Sequence, residues 1–187
     1  MKKLPNHTAL KEWASVISAL QTGEQICILR KGGIADSRFA IEAEQFYLFP
    51  TYLHQKENQF KPEGRDHFAQ TDRESEPAIV TISSWADVVR SWTISDLAAL
   101  DRIEPLFIFT RETLDERFRF RADQKLQLLA LRVWRLQSPV EVVNSSAYAG
   151  CRSWISLDDE IDTSLSSQTV EELALVARIE QVDFLLA

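Results

Sequence analysis

Two cations followed by two glycines lie early in the chain, at Arg30, Lys31, Gly32 and Gly33. Glycine adopts positive φ at little cost, so backbone here can approach a ligand closely. Backbone N–H groups and cationic side chains together can hold a phosphate or a carboxylate. The segment lacks the Gly-Lys-Ser/Thr element of a nucleotide-triphosphate loop. Two interpretations therefore stay open, an anion-binding loop and an ordinary hairpin turn with solvated cations.

A second polar group follows the apolar run 46–49, which we predict to be a buried strand ended by Pro50. Thr51, His54 and Gln55 come after it, and polar groups at strand ends commonly form sites. Histidine titrates near neutral pH, so His54 is the candidate catalytic acid or base. The alternative is a histidine that binds neighbouring backbone and holds its loop.

Arginine alternates with phenylalanine in the segment RFRFR, which contains Arg117, Arg119 and Arg121. In a strand this alternation gives one basic and one aromatic face. Such a pairing suits phosphate contact and base stacking, but it also fits a strand with one packed and one solvated face. Arg132, on a predicted strand over 126–136, would extend the same basic surface.

The sequence predicts neither a bound metal nor a cofactor. No histidine or cysteine lies at zinc-ligand spacing from another, and the signatures of serine hydrolases and thiol proteases are absent. Cys27 and Cys151 are too few for a disulfide framework, and we expect both to be reduced and packed.

The acidic charge of the chain is concentrated at its C-terminal end. The formal net charge is −7, and residues 157–187 contain eight acidic residues and one basic residue, so the rest of the chain is neutral. The overall charge therefore does not exclude a phosphate-rich partner. No apolar run approaches the length of a membrane helix, and the N-terminus lacks a secretory signal. We expect a cytoplasmic protein with no membrane contact.

Helical spacing predicts an amphipathic helix over residues 9–21 with Thr8 as its N-cap. A capping box of Thr169 and Glu172 predicts a final helix through about Phe184, with Val170, Leu173, Val176 and Ala177 on one face. Short apolar runs predict strands at 25–30, 38–42, 45–49, 78–83, 86–89, 106–109, 117–121, 126–136 and 140–143. The almost wholly polar stretch 56–77 predicts a long, mobile, exposed loop.

These elements predict a single α+β domain over residues 1–187. Its sheet is curved and mainly antiparallel, open or barrel-like, and the N- and C-terminal helices flank it. A three-stranded meander of 25–30, 38–42 and 45–49 would open the first and third strands at the same edge. Arg30 and Lys31 would then face His54 and Gln55 across one strand.

Several separated motifs resemble one known family. LKEWASVISAL, ILRKGGI, FYLFPTYLHQ, LLALRVWRL and AGCRSWISL recur in one order in the bacterial family called domain of unknown function 1802. The resemblance spans nearly the whole chain. It implies no established activity, but some members are fused to restriction-endonuclease-like domains, which implies a nucleic-acid or defence context.

We therefore expect a non-enzymatic module that binds nucleic acid or a nucleotide. The order of elements is also distantly similar to small barrel domains that bind RNA or modified bases. One alternative is an enzyme acting on a phosphorylated or nucleic-acid substrate with His54 as acid or base. Another is a protein-interaction domain that uses the acidic C-terminal helix. The candidate ligand-binding residues are Arg30, Lys31, Gly32, Gly33, Thr51, His54, Gln55 and Arg132.

Overall fold

The computed structural model describes residues 4–31, 40–120, 125–150 and 152–187. In these ranges the strands are β1 Thr8–Trp13, β2 Cys27–Arg30, β3 Gln45–Thr51, β4 Ile79–Ile94, β5 Leu126–Val143, β6 Trp154–Ser156 and β7 Ser166–Gln168. The α-helices are α1 Ala14–Thr22, α2 Arg65–Thr71, α3 Leu97–Ile103, α4 Arg111–Arg119 and α5 Glu172–Leu186. No helix in these ranges has both the length and the apolar character needed to cross a membrane.

The described strands form one curled sheet in the order β2-β5-β4-β3-β1-β6, with β7 also beside β5. Neighbouring strands are antiparallel except β1 and β3, which are parallel. β4 and β5 form a long ribbon whose register shifts twice, and such bulges bend and twist a sheet. The predicted α+β class, with a curved, mainly antiparallel sheet and flanking N- and C-terminal helices, is confirmed.

Each of the two long strands, β4 and β5, joins two strands that the sequence pattern predicts to be separate. The predicted strands 78–83 and 86–89 are both parts of β4, and 126–136 and 140–143 are both parts of β5. Pro139 lies where the β4–β5 register shifts, so its missing N–H interrupts no regular ladder bond.

β3 is buried on both faces, which explains its continuous apolar sequence. Phe46 and Leu48 pack in one hydrophobic cluster, and the alternate residues Tyr47 and Phe49 pack in a second. The prediction that Pro50 ends this strand is wrong, because β3 continues to Thr51 and pairs there with β1.

The first half of the predicted helix 9–21 is a strand. Thr8–Trp13 pairs with β3 and β6, so Thr8 does not cap a helix. Ala9 and Leu10 are adjacent and both buried. Their apolar pattern therefore fits a strand that is covered on both faces as well as it fits a helix. Tertiary pairing decides between the two.

α1 is held at both ends by residues distant in sequence. The N-cap residue, Trp13, forms no side-chain hydrogen bond with the first turn of α1. Instead, Gln55 Oε1 accepts from the Ser15 N–H at 3.2 Å and from Ser15 Oγ at 2.5 Å. At the other end, Arg178 of α5 donates to the carbonyls of Gly23 and Glu24 at 2.6 and 2.8 Å. A cation at a helix C-terminus also suits the helix dipole.

The stretch 56–77, which we predict to be a long, mobile, exposed loop, contains helical segments, although most of its residues are exposed. Two 3₁₀ turns, Glu57–Gln59 and Pro62–Gly64, lead into α2. Phe60 is buried among aromatic rings, and His67 is buried between Ser18 Oγ at 2.8 Å and Glu24 Oε2 at 2.9 Å. These few buried or paired side chains in a polar sequence are enough to dock the segment on α1.

The arginine-phenylalanine alternation lies in a helix, so the prediction of a strand over 117–121 is wrong. Thr110 caps α4 by accepting from the Thr113 N–H, and α4 runs to Arg119. Phe118 is buried and Phe120 is exposed, which a helical period explains and a period of two does not. Arg121 lies outside the described residues.

The buried face of α5 differs from the predicted one. Leu175, Ile179 and Val182 are buried, whereas Leu173 is 81% exposed. The capping box is absent too, because α5 begins at Glu172 without a side-chain cap. Apolar residues occur on several faces of this helix, so only packing selects the buried one.

Cys27 is a free, buried thiol. Burial raises its pKa to about 12, so it stays protonated and unreactive at neutral pH. Cys151 lies outside the described residues.

Replacing Gln55 by alanine should lower the free energy of unfolding by about 1–2 kcal/mol, because the first turn of α1 loses its cap. Chemical denaturation measures this loss. Gln181→Ala, at an exposed position on α5, is the control and should change stability by under about 0.5 kcal/mol. Equal effects of the two substitutions would contradict the capping role.

Candidate ligand-binding cavity

A cavity of about 1010 Å³ opens inside the curl of the sheet. The ends of β1 and β3, the start of β4 and the segment after β5 meet at one edge, as the strand directions require. The end of β2 and the last turns of α4 complete the wall. Its charged side chains are Lys11, Glu12, Arg30, Lys31, Glu76, Glu116, Arg117 and Arg152, and His54 also lines it.

A buried ion pair joins the walls of the cavity. Arg30 Nη1 lies 2.9 Å from Glu12 Oε2, and the two side chains are 13% and 3% exposed. Glu12 Oε1 accepts from the Trp13 N–H at 2.8 Å. β1 and β2 are separated by three strands in the sheet, so this contact exists only because the sheet curls.

Arg117 lies against two aromatic rings beside this pair. Its guanidinium carbon is 4.3 Å from the Trp13 ring centre and 4.4 Å from that of Phe109. Burial lowers the pKa of Arg117, and the nearby charge of Glu12 opposes that shift while Arg30 adds to it. A guanidinium keeps its proton at any physiological pH, so the wall carries a fixed positive charge.

The cavity lysines are tied to backbone carbonyls. Lys11 Nζ donates to the carbonyls of Tyr148 and Gly150 at 2.8 and 2.9 Å, which holds the segment after β5 against β1. Lys31 Nζ donates to the Phe118 carbonyl at 2.6 Å. Both ammonium groups therefore have fixed positions at the wall.

The turn after β3 places His54 on the cavity in an unusual backbone conformation. His54 has a φ of 70°, in the left-handed region that non-glycine residues seldom adopt. Glu76 Oε1 accepts from the N–H groups of Tyr52 and Leu53 at 2.9 and 3.0 Å, and Gln55 Nε2 donates to the Tyr52 carbonyl. These bonds hold the strained turn, and the His54 side chain stays exposed.

Four of the sequence-predicted site residues line this cavity together. They are Arg30, Lys31, Thr51 and His54. Gly32 and Gly33 lie outside the described residues.

Gln55 and Arg132 are not with them. Gln55 is buried and serves as the cap of α1. Arg132 forms a paired contact with Glu172, which raises the pKa of Arg132 and lowers that of Glu172. Its guanidinium is engaged in joining β5 to α5.

The predicted meander is wrong, although Arg30, Lys31 and His54 line the same cavity. β2 pairs with β5, and β3 lies between β4 and β1. Residues 32–39, which include part of the middle strand of that prediction, lie outside the described residues.

Sequence reasoning did not single out several cavity residues as a site. Lys11, Glu12, Glu76 and Arg152 lie in three separate segments, and none of these segments has the residue pattern of a known binding site. For Lys11 and Glu12 the available signal is the segment LKEW, in which a charged pair interrupts an apolar run.

Replacing Arg30 by glutamine should lower the free energy of unfolding by about 3–5 kcal/mol, because it leaves the buried Glu12 carboxylate uncompensated. Thermal and urea denaturation measure the loss. Arg132→Gln, which breaks the exposed pair with Glu172, is the control and should change stability far less.

The double variant Glu12→Gln/Arg30→Gln removes both charges and should be more stable than Arg30→Gln alone. If adding Glu12→Gln gives no recovery, the ion pair does not determine the stability of this wall.

Comparison with known proteins identifies the family. No curated protein matches the chain. The crystal structure of a mutant of ZmASCH from Zymomonas mobilis is similar with a TM-score of 0.50 at 9% identity, covering 84% of this chain and 92% of that one. The crystal structure of ASCH from Zymomonas mobilis gives 0.49 at 11% identity, covering 86% and 96%. At this identity the likeness concerns the fold alone. The family described as domain of unknown function DUF1802 matches residues 9–181, and the chain belongs to that family.

Proposed function

We propose that the chain binds a nucleotide, free or within a nucleic-acid strand, in this cavity. The observation that carries the proposal is the convergence of cations from separate segments on one concave wall. Lys11, Arg30, Lys31, Arg117 and Arg152 all line it. Fixed cations in a partly enclosed site attract phosphate more strongly than the same charges on an open surface.

Aromatic groups beside these cations support a nucleotide over a simple anion. Trp13, Phe49, Phe120 and Tyr148 line the cavity, and Phe120 is 65% exposed. An exposed ring near cations gives a base a stacking surface while its phosphate meets the charge. An inorganic anion has no ring that could stack on these aromatic side chains.

The acidic C-terminal part of the chain does not oppose this binding directly. None of residues 157–187 lines the cavity. Of the cavity carboxylates, Glu12 is neutralised by Arg30. Five cations line the cavity against the three carboxylates of Glu12, Glu76 and Glu116, so its formal charge is positive although the chain carries −7 overall.

Arg152→Gln should weaken binding of labelled single-stranded RNA at low salt, because Arg152 is an exposed cavity cation. The slope of log K against log salt should fall by about 0.7, the change expected for one lost phosphate contact. Fluorescence anisotropy over a salt series measures both quantities. Arg135→Gln removes an exposed arginine that does not line the cavity, and it should leave both unchanged.

Two outcomes would overturn the proposal. One is absence of binding by the wild-type chain to single- or double-stranded DNA or RNA, and to mononucleotides, at low ionic strength. The other is equal weakening by Arg152→Gln and Arg135→Gln, which would indicate non-specific attraction rather than a site.

The second candidate function is an enzyme with His54 as acid or base. The strained backbone of His54 and its exposed position at the cavity favour it, because strain of this kind clusters at active sites. His54→Asn is the matched substitution, since asparagine tolerates the left-handed conformation. If His54 is catalytic, this variant should keep RNA binding within a few-fold and abolish any cleavage of labelled RNA by the wild type. Cleavage that survives the substitution would exclude this role.

A further inference from the structure

We infer that Glu76 and Ser145 form a second subsite of the cavity, which recognises a hydrogen-bond donor on the part of the ligand that carries no phosphate. This inference rests on the proposed function, because it assumes a ligand whose phosphate meets the cationic wall. It assigns the specificity of the site to two residues at the junction of β4 and β5.

Both residues have a buried polar atom that forms no hydrogen bond within the described residues. Glu76 Oε2 and Ser145 Oγ have almost no solvent exposure and no partner there. A buried polar atom without a partner costs free energy, so such atoms are rare and call for an explanation. Both residues line the cavity, so a bound ligand is the nearest source of a partner.

Backbone pairing brings these two residues to the same end of the β4–β5 ribbon. The Asn144 N–H donates to the Ala78 carbonyl at 2.9 Å, and Asn144 Nδ2 donates to the Pro77 carbonyl at 3.0 Å. The ladder of β4 and β5 thus continues beyond Ile79 and Val143 to the next pair along each strand. Glu76 and Ser145 follow at the end of that extension, on one wall of the cavity.

One carboxylate oxygen of Glu76 already accepts hydrogen bonds from the protein backbone. Its Oε1 holds the Tyr52 and Leu53 N–H groups of the His54 turn, which fixes the carboxylate in place. The second oxygen is then a positioned acceptor. Both atoms are buried in the unliganded chain, so a ligand donor reaches Oε2 or Ser145 Oγ only when small side-chain shifts that keep the Oε1 bonds expose them.

The chemistry required of the ligand follows from these walls. The ligand must carry an anionic group that binds the cations and an N–H or O–H group that donates to the Glu76 carboxylate. A nucleotide offers the donor from two sources, the ribose hydroxyls or an exocyclic base amine, and carboxylates in proteins accept from both. Inorganic pyrophosphate carries the anion alone.

Glu76→Gln tests the inference with the least disturbance. The glutamine oxygen can keep both turn bonds, while an NH₂ group replaces the orphan acceptor with a donor. Glu116→Gln is the control, because it removes the same charge from the same cavity at an exposed position. Calorimetric titration with pyrophosphate, ribose 5-phosphate and AMP measures the affinities.

In the Glu76→Gln variant, AMP should bind about tenfold or more weakly, the effect of losing a hydrogen bond to a charged group. Pyrophosphate should bind as well as before or better, because a negative charge has been removed. Loss for AMP alone assigns the donor to the base, and equal loss for ribose 5-phosphate assigns it to the sugar. Glu116→Gln should weaken neither ligand, and Ser145→Ala should weaken AMP with pyrophosphate unchanged.

Unchanged AMP affinity in both Glu76→Gln and Ser145→Ala, or parallel loss of AMP and pyrophosphate, would overturn the inference while leaving the proposed function intact. If Glu76→Gln does not fold, the Ser145→Ala result decides alone. A wild-type chain that binds none of the three probes and no nucleic acid overturns the proposed function, and this inference fails with it.

Discussion

The cavity depends on one ion pair that spans the inside of the sheet. Glu12 on β1 and Arg30 on β2 would lie far apart in a flat sheet, because β5, β4 and β3 lie between them. A buried ion pair adds little net stability, since desolvation offsets the attraction, but it tolerates no other geometry once one partner is buried. The pair therefore holds β1 and β2 together across the curl of the sheet, and Arg30 reaches the wall formed by β1. Arg117, held between Trp13 and Phe109, completes this charged centre.

Local patterns predicted the elements whose burial is simple. The fold class, β2 and the existence of α1 and α5 follow from apolar periodicity and from the positions of turn residues. Two of the failures share a cause, which is that distant contacts overrode the local pattern. Thr8–Trp13 is a strand because β3 lies beside it, and α2 is ordered because His67 reaches Ser18 and Glu24. Neither partner is visible within a short window of sequence.

For the candidate site, the sequence predicted several of the residues correctly but not the strand arrangement that brings them together. The predicted set Arg30, Lys31, Thr51 and His54 lines one cavity, but the meander invoked to join them does not exist. Strand-end position was informative because β1 and β3 end at this edge, and the curl of the sheet brings the end of β2, which runs opposite to β3, to the same cavity. Gln55 is also a polar residue just after β3, yet its side chain binds the first turn of α1 instead of lining the cavity. Whether the four residues bind a ligand stays a prediction.

The cap that Gln55 provides has a consequence for the order of folding. Short helices are unstable alone, since nucleating the first turn costs more than one hydrogen bond returns. α1 has nine residues and no side-chain cap from its own N-cap residue, so its first turn is completed only after a loop of forty residues has closed. Loop closure on that scale is an entropic barrier that precedes the contacts it permits. During synthesis, α1 therefore leaves the ribosome well before the residue that completes its first turn, and we expect the N-terminal helix to be among the later elements to become stable.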